Sequence, residues 1–194
     1  MAKLVNSLET YPFIVDHAYM TEQMRNFGWR SASSAEIPEL VALGEQLIND
    51  KLADAEVVDA VHARTGISAW AFGADPIEGM VLAVPLTLKG LVNLQNGAFH
   101  PGAPEDDEVA AIGEACAGCY IGIYAGSTHE ARKAVMTGAA VIRMGVFSHV
   151  PCFARAATED GARSMESLGW SPAGFGIDKL WMQGALSAPE KKVA

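Results

Sequence analysis

The segment from Tyr120 to Val135, YIGIYAGSTHEARKAV, constrains the fold more than any other part of the chain. Tyr120 to Tyr124 alternates as a strand does, which sets Tyr120, Gly122 and Tyr124 on one face and Ile121 and Ile123 on the other. Gly126 interrupts the strand. Ser127-Thr128-His129-Glu130 then has the form of a capping box, with Ser127 accepting from an amide three residues on and Glu130 reaching back. Ala131, Ala134, Val135, Gly138, Ala139, Ile142 and Val146 follow at the spacing of one helical face. The face is small, so the helix can lie close against a sheet. A helix start of this kind presents unpaired amides and the positive end of the dipole. It is therefore a ready place for an anion, and Arg132 and Lys133 can add charge there. An ordinary strand-to-helix turn with solvated basic residues fits the local pattern equally well.

The remaining totals narrow the class. The chain has 194 residues, half of them apolar and 19% charged, as expected of a globular domain with a substantial core. Its net charge of −9 and pI near 4.9 argue against a nucleic-acid partner. A local basic pocket for an anionic ligand remains compatible with them. No apolar run approaches the roughly 18 residues of a membrane span, so no membrane partner is expected. The first residues lack the order of a signal peptide, which predicts a cytoplasmic location. Cys116-x-x-Cys119 runs straight into a strand rather than opening a helix, and no second cysteine pair supports a zinc site. These thiols and Cys152 read as plain buried or partly buried cysteines. His17, His62, His100, His129 and His149 lack metal-ligand spacing, so no metal is expected.

A short helix within HAYMTEQMRNFGW stops at Gly28. A second opens at Ser33 or Ser34, with Pro38 tolerated early, and carries Leu40, Val41, Leu43, Leu47 and Ile48 as its stripe. A third covers Ala53 to Ala63 and stops near Gly66. Ile67 to Gly73 and Met80 to Leu88 form a hairpin, with Pro85 at an edge or a bulge because it donates no ladder bond. Gly90 to Asp107 reads as a long loop and Glu108 to Ala115 as a short helix. After the central strand and helix come a strand at Val150 to Ala157, a helix from Thr158 to Gly169, and two strand-like pieces in 171–176 and 178–186. Residues 1–28 read as an N-terminal extension and 29–194 as one domain.

The order β–α–α–β–β–β–α–β–α–β–β resembles that of the GCN5-related N-acetyltransferase (GNAT) family of acyl-CoA-dependent acyltransferases. Tyr120 to Gly145 is similar to the family's fourth strand, pyrophosphate loop and third helix. Phe153 to Trp170, FARAATEDGARSMESLGW, is similar to its fifth strand and fourth helix. The element order extends the likeness from Trp29 to Leu186. The resemblance implies an α+β fold: a mostly antiparallel central sheet whose fourth and fifth strands splay apart, with flanking helices.

It also implies an acetyl-CoA or longer acyl-CoA co-substrate, with pantetheine along strand edges near Cys119 to Ala125. The cofactor-binding positions that follow are Tyr124, Ala125, Gly126, Arg132, Lys133, Ala134, Val135, Met136 and Thr137. The implied reaction is direct transfer of an acyl group to a small-molecule amine acceptor. A homodimer is compatible with this reading. Two positions depart from the family pattern. Val135 and Thr137 stand where the loop has small residues, and Met165 stands where many members carry a tyrosine acid. A catalytically degenerate protein that binds CoA or a partner is therefore the alternative.

The candidates for proton transfer are Tyr120 and Tyr124 on the central strand and Glu114 just before it. Each has a plain alternative: packed aromatics for the tyrosines, a solvated carboxylate for Glu114. His100 and His149 can titrate near neutral pH but also suit a surface. Cys152 has no base placed beside it by the sequence.

Overall fold

The computed structural model describes residues 13–156 and 158–186. Strand β1 (Phe13–Ile14) and helix α1 (His17–Asn26) open the described chain, then β2 (Trp29–Ser31), α2 (Ile37–Ile48) and α3 (Ala55–Thr65). The hairpin β3 (Ala69–Phe72) and β4 (Gly79–Leu86) follows, then α4 (Leu88–Asn96) and β5 (Ala115–Cys116). The centre is β6 (Gly118–Gly126), α5 (His129–Ala140) and β7 (Cys152–Arg155). The described chain ends with α6 (Glu159–Ser167), β8 (Ser171–Pro172) and β9 (Leu180–Gln183).

Seven strands form one sheet in the order β2-β3-β4-β6-β7-β9-β8, and β1 pairs with β5 apart from it. Among the described residues β6 and β7 are the single parallel pair of the sheet. Both faces are covered. On one lie α1 and α5, with Met20, Met24, Ala134, Val135 and Ile142 buried against Trp70, Val81 and Ile121. On the other, α2 and α3 bury Ile37, Leu40, Val41 and Val58 against Ala69, Met80, Leu82 and Ile123.

The small face of α5 does what its sequence implies. Trp29 donates its indole N–H to the Ala134 carbonyl at 3.1 Å. A Cβ at Gly138 would stand 3.0 Å from that same indole nitrogen, so the missing side chain lets the indole ring lie directly on the helix. At the helix start Thr128, not Ser127, is the cap: its hydroxyl accepts from the Ala131 amide at 3.1 Å. Ser127 bonds instead to the Glu78 carbonyl, through its amide at 2.8 Å and its hydroxyl at 3.0 Å. At α2 the expected cap is inverted, because Glu36 accepts from both the amide and the hydroxyl of Ser33.

Two further expectations give way. The stretch read as loop from Gly90 contains α4, which starts on a cap: Thr87 accepts from the Gly90 amide at 3.1 Å. Its glycine is a packing requirement, since a methyl there would overlap the Glu108 carbonyl. The helix read at Glu108 to Ala115 is only a 3-10 turn at Asp106–Glu108, followed by a bridge at Val109 and a second turn at 112–114 before β5. Buried Glu108 holds that turn by accepting from the Glu105 amide at 2.8 Å and from Asn93 at 2.7 Å. Pro85 lies in a central strand, yet beyond the end of β3. Its carbonyl accepts from Ala110, so its missing donor faces the side that β3 has left.

Candidate active site

The ladder between β4 and β6 slips by one residue. Leu82 pairs with Ile123 and Ala83 with Ile121, so Gly122 is an extra, unpaired residue in β6. This β-bulge reverses the alternation of side chains along the strand. Tyr124 and Ile121 join the core beside α5, whereas Tyr120 joins Phe99 and Phe153 on the opposite face. The expectation that Tyr120, Gly122 and Tyr124 share one face is thus corrected. A lone glycine inside a strand was the available signal for this bulge.

One step from the bulge, β6 and β7 part. Their pairing covers Cys119↔Cys152, Tyr120↔Phe153 and Ile121↔Ala154 and goes no further, while β7 continues against β9 as far as Arg155↔Leu180. The gap between the strands is flanked by Gly122, which has no side chain, and by Arg155. A cavity opens on each face. The larger, about 710 Å³, lies between α5 and α6 and is lined by Tyr124, Val135, Met136, Met144, Met165 and Trp170 among others. The smaller, about 320 Å³, lies against α3 and is lined by Val57, Leu82, Phe99, Tyr120 and neighbours. Ile48, Gly122 and Arg155 border both.

Burial holds the two tyrosines protonated. Tyr120 is pushed up to about 12 by loss of solvent, with Arg155 pulling weakly the other way. Tyr124 is raised well above the usual phenol value, first by burial and then by neighbouring Cys119 and Cys152. Each is therefore a proton donor rather than a base at neutral pH. Glu114 is not brought to them. It sits on the surface, 3.3 Å from Arg64 and accepting from the Ala111 amide, and lines neither cavity.

Of the expected cofactor-binding positions, Tyr124, Val135 and Met136 line the larger cavity. Ala125 and Ala134 are buried in the core, and Gly126 lets the strand run against the helix start, where a Cβ would meet Ala131 at 2.7 Å. Arg132 and Lys133 are exposed, and Thr137 bonds back to the Lys133 carbonyl. The anion-binding potential of the turn is partly taken up by the protein itself. The Arg132 guanidinium donates to the Ser127 carbonyl at 3.1 Å, and the Thr128 hydroxyl donates to the Glu78 carboxylate at 3.2 Å.

Sequence reasoning missed Arg143. After α5 the chain continues through a wider π-helical turn, Val141–Val146, and this carries Arg143 into the wall of the larger cavity. Arg143 is 7% exposed and donates to Gln183 at 2.7 Å, to the Phe147 and Val150 carbonyls, and to the Gly184 carbonyl. These partners are all carbonyl and amide oxygens, so its charge is met by dipoles. An arginine flanked by Ile142 and Met144 inside an apolar run was the signal for it. Cys119 and Cys152 sit beside it as free, buried thiols, and the Cys152 thiol is held below its usual value by the Cys119 hydrogen bond, with Arg143 assisting. Cys152 lines neither cavity. Among the described residues no cluster of side chains is arranged to hold a metal ion, and no helix is long and apolar enough to cross a membrane.

Strands β2, β3, β4, β6 and β7 thus stand as first to fifth, and the fourth and fifth are the pair that opens. The fold is GNAT-like. Helix α1 buries Met20 and Met24 in the same core as α5 and the sheet. No protein-family profile and no curated protein matches the chain. Solved structures similar to it include Ard1 from Thermoplasma volcanium, with 12% identity, TM-score 0.48, and coverage of 82% of this chain and 97% of that one. A second, described as histone acetyltransferase HPA2 and related acetyltransferase, from Corynebacterium glutamicum, has 13% identity, TM-score 0.48, and coverage of 83% and 97%. A third, the GNAT-like decarboxylase GphF in complex with isobutyryl-CoA, has 13% identity, TM-score 0.44, and coverage of 78% and 79%.

Proposed function

We propose that the protein is an acyl-CoA-dependent N-acyltransferase acting on a small-molecule amine. The observation that carries this reading is the opening between β6 and β7, which joins two cavities on opposite faces of one sheet. A thioester donor lying along β6 in the larger cavity would bring its carbonyl to the gap. An amine in the smaller cavity would reach it from the other side. Transfer then forms a C–N bond and breaks the C–S bond, and a proton passes from the amine while the thiolate gains one.

The walls suit this donor in part. The larger cavity is predominantly apolar, and its volume of about 710 Å³ is within the range of ligand sites. Tyr124, protonated and on that wall, would supply the leaving thiolate with its proton, which Met165 on the same wall has no group to do. The pyrophosphate end is less well served, because Arg132 and Thr128 already have partners within the protein. That feature favours the second reading, a degenerate GNAT-like protein that binds CoA or a partner without turnover.

A thermal shift with CoA, acetyl-CoA and a long-chain acyl-CoA, against ATP as control, tests the common part of both readings. Stabilisation by the CoA species and not by ATP is expected, scaling with the logarithm of ligand concentration. No shift at millimolar CoA would remove the enzyme and the CoA-binding form of the second reading, leaving a protein that serves a partner alone. Turnover with a panel of amines then separates the enzyme from the degenerate binder.

A further inference from the structure

Arg155 indicates which amine. It lies two residues beyond Phe153 in β7, hence on the face that carries Tyr120, and one step past the last pair with β6. Where the register would bring a side chain against it, β6 has Gly122 instead. Arg155 therefore stands in the gap and borders both cavities. Among the described residues no hydrogen bond or ion pair holds its guanidinium. Lys51, the other cation on the smaller cavity's wall, is paired with Glu45 at 3.1 Å. In a chain of net charge −9, a cation left without a carboxylate beside a cavity is against the trend of the whole surface.

We propose that the acceptor is an amine that also bears a carboxylate, and that Arg155 grips the carboxylate. This rests on the acyltransfer reading for the role of the smaller cavity. Guanidinium and carboxylate match in a paired, planar arrangement that a neutral amide or a bare hydrocarbon cannot reproduce. Much of the rest of the wall is hydrocarbon, with Leu52, Val57, Val61, Leu82, Val84 and Phe99, and Asp50, Ser68 and Tyr120 are its other polar members. At about 320 Å³ the cavity is at the small end of ligand sites. An amine, a carboxylate and a compact apolar body together describe an apolar amino acid. The carboxylate held at the gap also fixes the amine within reach of the opening, as a direct transfer needs.

The test uses L-leucine, L-methionine and L-phenylalanine, each beside its carboxamide and its decarboxylated amine. Turnover with acetyl-CoA and thermal stabilisation by each compound alone are both measured, for the wild type, Arg155→Met and Arg155→Lys. The wild type should favour the acids over the amides by about tenfold or more in kcat/KM, the worth of one charge-assisted contact. Arg155→Met should bring that ratio close to one, and Arg155→Lys should restore part of it. Equal use of acids and amides by the wild type overturns the proposal. So does a ratio that Arg155→Met leaves unchanged, since the guanidinium would then act on something common to all acceptors. If nothing is turned over but the acids alone stabilise the protein, and do so through Arg155, the carboxylate site stands and the acyltransfer reading falls. If neither turnover nor stabilisation distinguishes acid from amide, the carboxylate site is excluded. Arg155 is exposed, so the melting temperatures of the variants report directly on whether they fold.

Discussion

Gly122 shows how much one residue can decide. Its backbone is not in the left-handed region, so glycine is not there for its conformational freedom. What it supplies is a wall without a side chain beside the gap, at the extra residue of the bulge. A Cβ at this site would stand 3.3 Å from that of Leu82, tight but open to adjustment. Gly122→Val should therefore fold, with a loss of about 1–3 kcal/mol from overpacking. It should also narrow the passage and cut kcat/KM by about tenfold or more through misplacement of the reacting groups. Denaturant unfolding and steady-state rates check the two parts separately. An unchanged rate in a folded Gly122→Val protein would mean that the passage is not where transfer happens. Tyr120 and Tyr124 were visible as candidates in the sequence, but their separation onto opposite faces was not. Period-two alternation assumes an unbroken ladder, and the slip at Leu82 and Ala83 comes from pairing with β4.

Elements were legible where local chemistry and tertiary packing agree. Helix α3 ends at Gly66 with φ +68°, and α6 opens on Thr158 and is followed by Gly169 with φ +81°, as their sequences indicate. Helix α4 was not legible, because Gly90 and Asn93 read as loop residues. Both serve long-range partners instead, the Glu108 backbone and the Glu108 carboxylate. Helix α3 also carries a pH dependence. The imidazole of His62 accepts from the Ala69 amide at 3.0 Å and bonds Ser31 at 3.0 Å, tying the helix to β3 and β2. Burial lowers its pKa below 6.5, so the folded protein resists the proton that the unfolded chain accepts. The contribution of His62 is complete above about pH 6.5 and declines as the pH falls towards the folded-state value. Between about pH 7.5 and about pH 5.5 the wild type should lose more stability than His62→Gln. Urea midpoints at the two pH values measure the difference, and parallel losses would show that His62 does not carry it.

At the scale of the whole molecule, the sequence of elements determined the sheet order, since hairpins pair with themselves and a strand–helix–strand unit gives the one parallel contact. The site was less legible. Arg155 and Arg143 acquire meaning only when β7 is set beside the bulge and when the π-helical turn swings towards β9. Arg155 has no local signature, and the apolar run around Arg143 marks that arginine without saying where it goes. The two cavities have one more consequence, and it concerns time rather than shape. They lie largely on opposite faces of the sheet and meet at Ile48, Gly122 and Arg155, so under the acyltransfer reading neither reactant has to leave before the other arrives. Initial rates measured against both reactants should then give intersecting double-reciprocal lines, with a complex of both partners on the route. Parallel lines would mean that the acyl group is parked on the protein between two visits. The cysteine nearest the gap in β7 is shut away from both chambers, so the structure offers it no landing place there.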